Sequence, residues 1–246
     1  MSADFIFYVA AGFLAQLIDG ALGMAYGVTA SSLLLSFGLP PATTSATVHA
    51  AECFTTGASA LSHHAFGNVR AQLFRRLLLP GVAGAVVGAY ILSSMPGDRI
   101  APFVSIYLLI MGGIIIGKTF REFPPRRVTT HLGPLGFIGA LVDAIGGGGW
   151  GPIVASTLIA RGNDARETIG SVNAVEFFVT TAASITFILM LGLTNWPIIA
   201  ALALGGLVAA PIAAWATTRV PLKPLMVLVG LLVIGLSVRT LLRYYH

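Results

Sequence analysis

Of the 246 residues, 56% are hydrophobic and only 9% charged, whereas soluble domains carry about 25% charged residues. With 29 glycines added, too few polar side chains remain to coat an ordinary core; the coat must be lipid, and the expected fold is an all-α polytopic membrane protein. The net charge of +5 reports orientation rather than nucleic acid, because the basic residues are scattered over loops with no stripe interleaved with aromatics.

In chain order, eight apolar segments lie at about 5–35, 43–66, 77–95, 100–117, 132–160, 168–191, 197–217 and 222–238. Gly38-Leu39-Pro40-Pro41, Met95-Pro96-Gly97-Asp98 and Val220-Pro221 punctuate them. The start, Met1-Ser2-Ala3-Asp4, lacks a basic stretch, so the first segment does not read as a cleaved signal. A single cysteine, Cys53, forms no internal disulfide and reads as a small packing residue. The first and fifth segments are long yet interrupted, at Asp19-Gly20-Ala21-Leu22-Gly23-Met24-Ala25-Tyr26-Gly27 and at Asp143-Ala144-Ile145-Gly146-Gly147-Gly148-Gly149-Trp150-Gly151-Pro152. Neither can be one unbroken helix.

Displacing the chain by 124 positions aligns residues 12–60 with 136–184 without a gap, with 16 of 49 positions identical. The matches include Asp19/Asp143, Gly23/Gly147, Gly27/Gly151, Gly38/Gly162, Thr44/Thr168 and Glu52/Glu176, and His49 faces Asn173. The chain therefore reads as two repeats of four segments, 1–120 and 132–246, joined by a basic linker at 121–131. If all eight segments cross, nine basic residues fall on one side and five on the other. If segments 1 and 5 enter and return, the split sharpens to eleven against three, with only Arg99, Arg239 and Arg243 opposite the main group. The sharper split favours inverted repeats with re-entrant first segments, an arrangement that builds many secondary transporters.

A helix that ends at membrane depth exposes backbone groups that need partners, and an N-terminal end offers N–H donors to an anion. The glycine breaks thus nominate Gly23, Tyr26, Gly27, Gly147, Gly148, Gly149 and Trp150 as substrate-binding, together with the segment 2 and 6 polar residues Thr44, Ser45, Thr47, His49, Ser171 and Asn173. One hydroxyl in each group also suits an N-cap. Gly81, Gly84 and Gly88 read instead as helix-packing positions. Asp19, Glu52, Asp143 and Glu176 are candidates for proton coupling, because acids at membrane depth are costly and commonly functional. Two plainer roles stay open: Asp19 and Asp143 as caps of the glycine breaks, and His49–Glu52 and Asn173–Glu176 as same-face packing pairs. His63-His64 has no neighbouring ligand at metal-binding spacing, and no cofactor is expected.

The motifs Ile18-Asp19-Gly20-Ala21-Leu22-Gly23-Met24-Ala25-Tyr26-Gly27, Thr43-Thr44-Ser45-Ala46-Thr47-Val48-His49-Ala50-Ala51-Glu52 and Val142-Asp143-Ala144-Ile145-Gly146-Gly147-Gly148-Gly149-Trp150-Gly151-Pro152 resemble the TauE/SafE sulfite exporter family. The resemblance covers nearly the whole chain, with Met24-Ala25-Tyr26 standing where the family commonly has further glycines. It implies an inner-membrane carrier for small sulfur-containing anions such as sulfite or organosulfonates, driven by the proton gradient. The competing readings are a passive anion channel, a carrier for a different small anion, and an intramembrane enzyme. Against the enzyme, the chain has neither a G-x-S-x-G elbow nor an H-E-x-x-H motif.

Overall fold

The computed structural model describes residues 3–120, 130–193, 195–216 and 223–245; the expected linker falls mostly at 121–129, outside them. The secondary structure among the described residues is all helical, without strands: α1 (Ala3–Leu22), α2 (Tyr26–Ser36), α3 (Pro41–Ala65), α4 (Ala71–Ser93), α5 (Gly97–Thr119), α6 (Leu132–Gly146), a π-helical turn (Gly151–Ala155) running into α7 (Ser156–Ala160), then α8 (Ala165–Leu191), α9 (Trp196–Ala216) and α10 (Lys223–Tyr245). Local chemistry sets these bounds. Pro41 opens α3 at a first-turn position where no N–H is needed, and the Asp164 side chain caps α8 by accepting from the Glu167 N–H at 2.8 Å.

Among the described residues, six helices are long and apolar enough to cross a membrane: α1, α4, α5, α8, α9 and α10. At 25 residues α3 is longer than most of them, but it carries the buried polar set Thr44, Ser45, Thr47, His49, Glu52, Thr55, Thr56, Ser59 and His63. The outside is correspondingly apolar: Leu79, Phe103 and Leu189 are each more than 70% exposed. Water would penalise such a surface and hydrocarbon does not.

The breaks expected in segments 1 and 5 are present, and each makes a hairpin. Gly23 (φ +68°) ends α1 and Gly147 (φ +69°) ends α6, matching left-handed positions 124 residues apart that glycine takes without strain. Gly38 (φ +91°) and Gly162 (φ +92°) repeat the correspondence where each hairpin closes. The Phe37 ring lies 6.0 Å from Phe7 and 6.4 Å from Tyr8, so α2 returns the chain to the level at which α1 began. The second hairpin does the same: Arg161 donates to the Thr130 carbonyl at 3.1 Å.

The connections sort into two ends. At one end Arg166 donates to the Asn68 side chain and, at 2.7 Å, to the Phe66 carbonyl, and Arg70 approaches Glu167 at 3.9 Å. At the other end Gly38 packs on the Arg243 guanidinium and Gly97 on Pro40 and Pro41. The basic loops around 66–70 and 161–167 therefore share one end of the bundle, opposite Arg243.

Helix packing pairs corresponding elements. α1 lies along α9 and α6 along α4, α3 crosses α8, α5 packs on α10, and α4 and α9 also touch α8 and α3 respectively. At the α3–α8 crossing Cys53 meets Ser184, Thr56 meets Thr180 and Ser59 meets Asn173, so the two helices run antiparallel. Close approach along α4–α6 depends on glycine: a methyl on Gly84 or Gly88 would strike the backbone of Phe137 or Leu141. Gly12 and Gly205 hold the α1–α9 interface in the same way.

Candidate functional site

The two hairpin tips meet inside the bundle. A Cβ on Gly27 would sit 2.7 Å from the Gly148 Cα and 3.0 Å from Glu52 Oε1, and one on Gly151 would strike the backbone of Gly23 and Met24. These two contacts are counterparts across the 124-residue repeat. Only glycine lets the backbones come this close, which is why the breaks are glycine-rich at these positions.

Each tip carries an aspartate in the same role. Asp19 Oδ1 accepts from the Tyr26 N–H at 3.4 Å, and Asp143 Oδ1 accepts from the Trp150 N–H at 3.0 Å. Each aspartate thus caps the returning arm of its own hairpin, the plainer of the roles left open by the sequence. The first N–H of each arm is occupied by the protein's own carboxylate. The remaining oxygens differ: Asp143 Oδ2 lies 3.1 Å from His49 Nε2, whereas Asp19 Oδ2 is buried without a hydrogen-bond partner among the described residues.

The second tip is gripped by polar side chains from α2, α3 and α5. Ser31 donates to the Gly147 carbonyl, Ser45 to the Ala144 carbonyl at 2.6 Å, and Tyr107 to the Gly148 carbonyl at 2.6 Å. At the positions matching Ser31, Ser45 and His49 the second repeat has Ala155, Ile169 and Asn173. At the first tip, His63 donates from Nε2 to the Gly20 carbonyl at 2.8 Å. Its other ring nitrogen is met by the Asn68 amide at 3.0 Å, so this histidine fastens a helix end while His64 is exposed.

Four buried acids, Asp19, Glu52, Asp143 and Glu176, lie within electrostatic reach of one another around the junction. Such a group is expensive to ionise in a dry interior unless cations or protons compensate. Glu176 Oε2 and both side-chain polar atoms of Gln16 are buried without a hydrogen-bond partner among the described residues. Unsatisfied polar atoms are uncommon in folded proteins, and each asks for a ligand, water or proton.

The other nominated residues are placed as follows. Thr47 donates to the Thr43 carbonyl at 2.7 Å and accepts from Asn195. Thr44 donates to the Leu39 carbonyl at 3.4 Å at the start of α3. Asn173 accepts from Ser59 and donates to the Ile169 carbonyl. Ser171 accepts from the Arg70 N–H at 2.8 Å, fixing the start of α4 near the basic end, apart from the tips. Gly149 lies under the Tyr107 hydroxyl. Trp150 is fully buried and donates from its indole to the Val172 carbonyl at 3.1 Å. Gln16, Ser31, Ser59, His63 and Tyr107 join the site without having been nominated. The paired Ser31-Ser32 in the returning arm was the available signal for one of them.

An open apolar groove of about 800 Å³ lies away from the tips, between α3, α4 and α8, and is lined by Phe54, Leu61, Phe74, Phe177 and Phe178 with Arg75 at its edge. Its walls face the lipid side and do not include the acids.

Residues 8–240 match the family described as Sulfite exporter TauE/SafE. The "Probable membrane transporter protein YtnM" of Bacillus subtilis (strain 168) is 44% identical over 241 residues, covering 94% of this chain and 80% of the relative. The "Probable membrane transporter protein ORF9" of Sinorhizobium sp. is 32% identical over 111 residues, covering 44% of this chain and 42% of the relative. No solved structure matches the chain. With its apolar helices and lipid-facing exterior, this is a multi-pass membrane protein, and it belongs to the TauE/SafE sulfite exporter family.

Proposed function

We propose that the protein is a secondary transporter that carries a small sulfur-containing oxyanion, sulfite or an organosulfonate, across the inner membrane by proton-coupled alternating access. The family description supplies the substrate class, and the names of the relatives supply transport across a membrane without a substrate. One observation carries the mechanism: two re-entrant hairpins meet tip to tip among four buried acids, Asp19, Glu52, Asp143 and Glu176.

Topology supports this reading. The antiparallel crossing of α3 and α8 and the hairpins that return to their starting level fit two inverted repeats, 1–120 and 132–246. The shared end of Arg70, Arg161 and Arg166 then faces the cytoplasm. In such repeats the substrate site forms where broken helices meet, and access alternates as one repeat rocks against the other. Contact between Gly27 and Gly148 corresponds to an occluded conformation. An anion enters as the tips part and is met by freed tip amides and by Gln16. Asp19, Glu52 and Glu176 take up protons so that negative charge can be accommodated among them.

Purified protein in liposomes should accumulate sulfite or a sulfonate in response to an imposed pH gradient, with saturation. Glu52→Gln and Glu176→Gln should each lower the gradient-driven rate at least tenfold. Transport that ignores the gradient and does not saturate would instead identify a passive anion channel.

A further inference from the structure

The two hairpins are built alike but are not held alike, and the difference concerns a single proton. His49 is fully buried. Its Nδ1 lies 2.8 Å from the Ser45 carbonyl and 3.2 Å from the Ser45 hydroxyl. A carbonyl can only accept, and the hydroxyl's own hydrogen is directed to the Ala144 carbonyl; Nδ1 must therefore carry a hydrogen. The second ring nitrogen, Nε2, faces Asp143 Oδ2 at 3.1 Å. A neutral ring with its hydrogen on Nδ1 would oppose a lone pair to a carboxylate oxygen there. The contact holds only when one further proton lies between them, either on Nε2 of an imidazolium beside a carboxylate or on Oδ2 of a neutral acid beside a neutral ring.

We propose that His49 and Asp143 form a one-proton clasp between α3 and the second hairpin, so that proton release loosens this tip, while the first tip, which His63 holds at a carbonyl, has no histidine–carboxylate pair. The inference rests on the transporter reading and names the proton carrier within it. When the shared proton leaves to water, Nδ1 keeps its hydrogen, Nε2 becomes a bare lone pair, and Asp143 becomes a carboxylate facing it. The pair then repels. Asp143 continues to cap Trp150 through Oδ1, so the hairpin stays folded while its His49 tie turns repulsive, leaving only the hydroxyl bonds from Ser31, Ser45 and Tyr107 to hold the tip. At the matching position on α8, Asn173 spends its amide on Ser59 and the Ile169 carbonyl, leaving Asp19 Oδ2 without a partner.

The ionisable groups around the clasp are Glu52 and Cys53 on α3, Asp19 on α1, Tyr26 on α2, Tyr107 on α5 and Glu176 on α8; the Phe187 ring covers the imidazole at 5.9 Å. None of the α3 neighbours supplies a second basic side chain to Asp143 among the described salt bridges.

Nitrogen-15 NMR of histidine-labelled protein in lipid, without substrate, tests the clasp directly. The His49 signals are identified by their loss in His49→Asn. Across a pH titration Nδ1 should stay protonated while Nε2 changes state once, and Asp143→Asn should displace that transition by at least one pH unit. Asp164→Asn, at the exposed start of α8, should leave it within a few tenths. An invariant His49, a proton lost from Nδ1, or a transition unmoved by Asp143→Asn would overturn the proposal. Should His49→Asn fail to fold, the Asp143→Asn comparison still decides. In liposomes, His49→Gln should lose about one proton from the number moved per anion; an unchanged proton count would also refute the clasp. Titration without transport of any sulfur anion would refute only the assigned substrate class.

Discussion

Thr56 and Thr180, 124 positions apart, meet hydroxyl to hydroxyl at 3.4 Å where α3 crosses α8. Equivalent residues touch only at a symmetry axis, and the neighbouring Cys53–Ser184 contact at 3.3 Å shows the helices running in opposite directions through it. Ser184→Cys should therefore join the native Cys53 in a disulfide on mild oxidation, detected as a cross-linked peptide by mass spectrometry. Parallel packing of the two helices would place these side chains out of reach and give no such peptide.

The shared end of the basic loops leads to a labelling pattern. In a Cys53→Ser background, single cysteines at Gly67 and Ala165, both exposed, should resist an impermeant maleimide in intact cells and react after permeabilisation. A cysteine at Met95, at the other end of α4, should react in both conditions. If Gly67 and Ala165 differ from one another, the hairpins do not return and the inverted reading fails.

Much of this architecture was legible in the chain because positions 124 residues apart carry matching residues. The glycines at 23 and 147, and at 38 and 162, occur in pairs because each pair occupies the same left-handed conformation. The aspartates repeat because each caps the arm that follows its break. What could not be read was the unequal grip on the tips. Ser45, nominated as part of an anion site, reaches 99 positions along the chain to a carbonyl, and Tyr107 comes from a helix with no marked motif. Such contacts depend on which helices become neighbours, which periodicity does not specify. Ser171 looked like a counterpart of Thr47, but it is used in ordering the start of α4.

Glycine substitutions should separate junction from surface. Gly148 has φ +152°, and a Cβ there would overlap the backbone of Gly27 and Val28. Gly148→Ala should cost about 1–3 kcal/mol from backbone strain alone, with overlap adding to it, and should abolish transport by wedging the tips apart. Gly113 has nothing near its Cβ position, so Gly113→Ala should be neutral or slightly stabilising through helix propensity. Ala25 holds φ +115° without being glycine; Ala25→Gly should raise the unfolding midpoint by relieving that strain. Thermal unfolding in detergent and liposome uptake measure all three.

Trp150 should anchor the second hairpin independently of its clasp. The ring is fully buried beside Gly81 and Gly139, with its indole N–H on the Val172 carbonyl. Trp150→Phe removes that donor and leaves a cavity against Gly81, at a cost of about 1–3 kcal/mol; Trp150→Ala should cost about 3–5 kcal/mol. Trp196, about half exposed, is the control, and Trp196→Phe should stay within about 0.5 kcal/mol of the parent. Denaturant unfolding in a fixed detergent gives the comparison. Because Asp143 caps the backbone N–H of residue 150 rather than its ring, Trp150→Phe should leave the pH dependence of the His49 resonance in place while lowering stability, whereas Asp143→Asn should displace it.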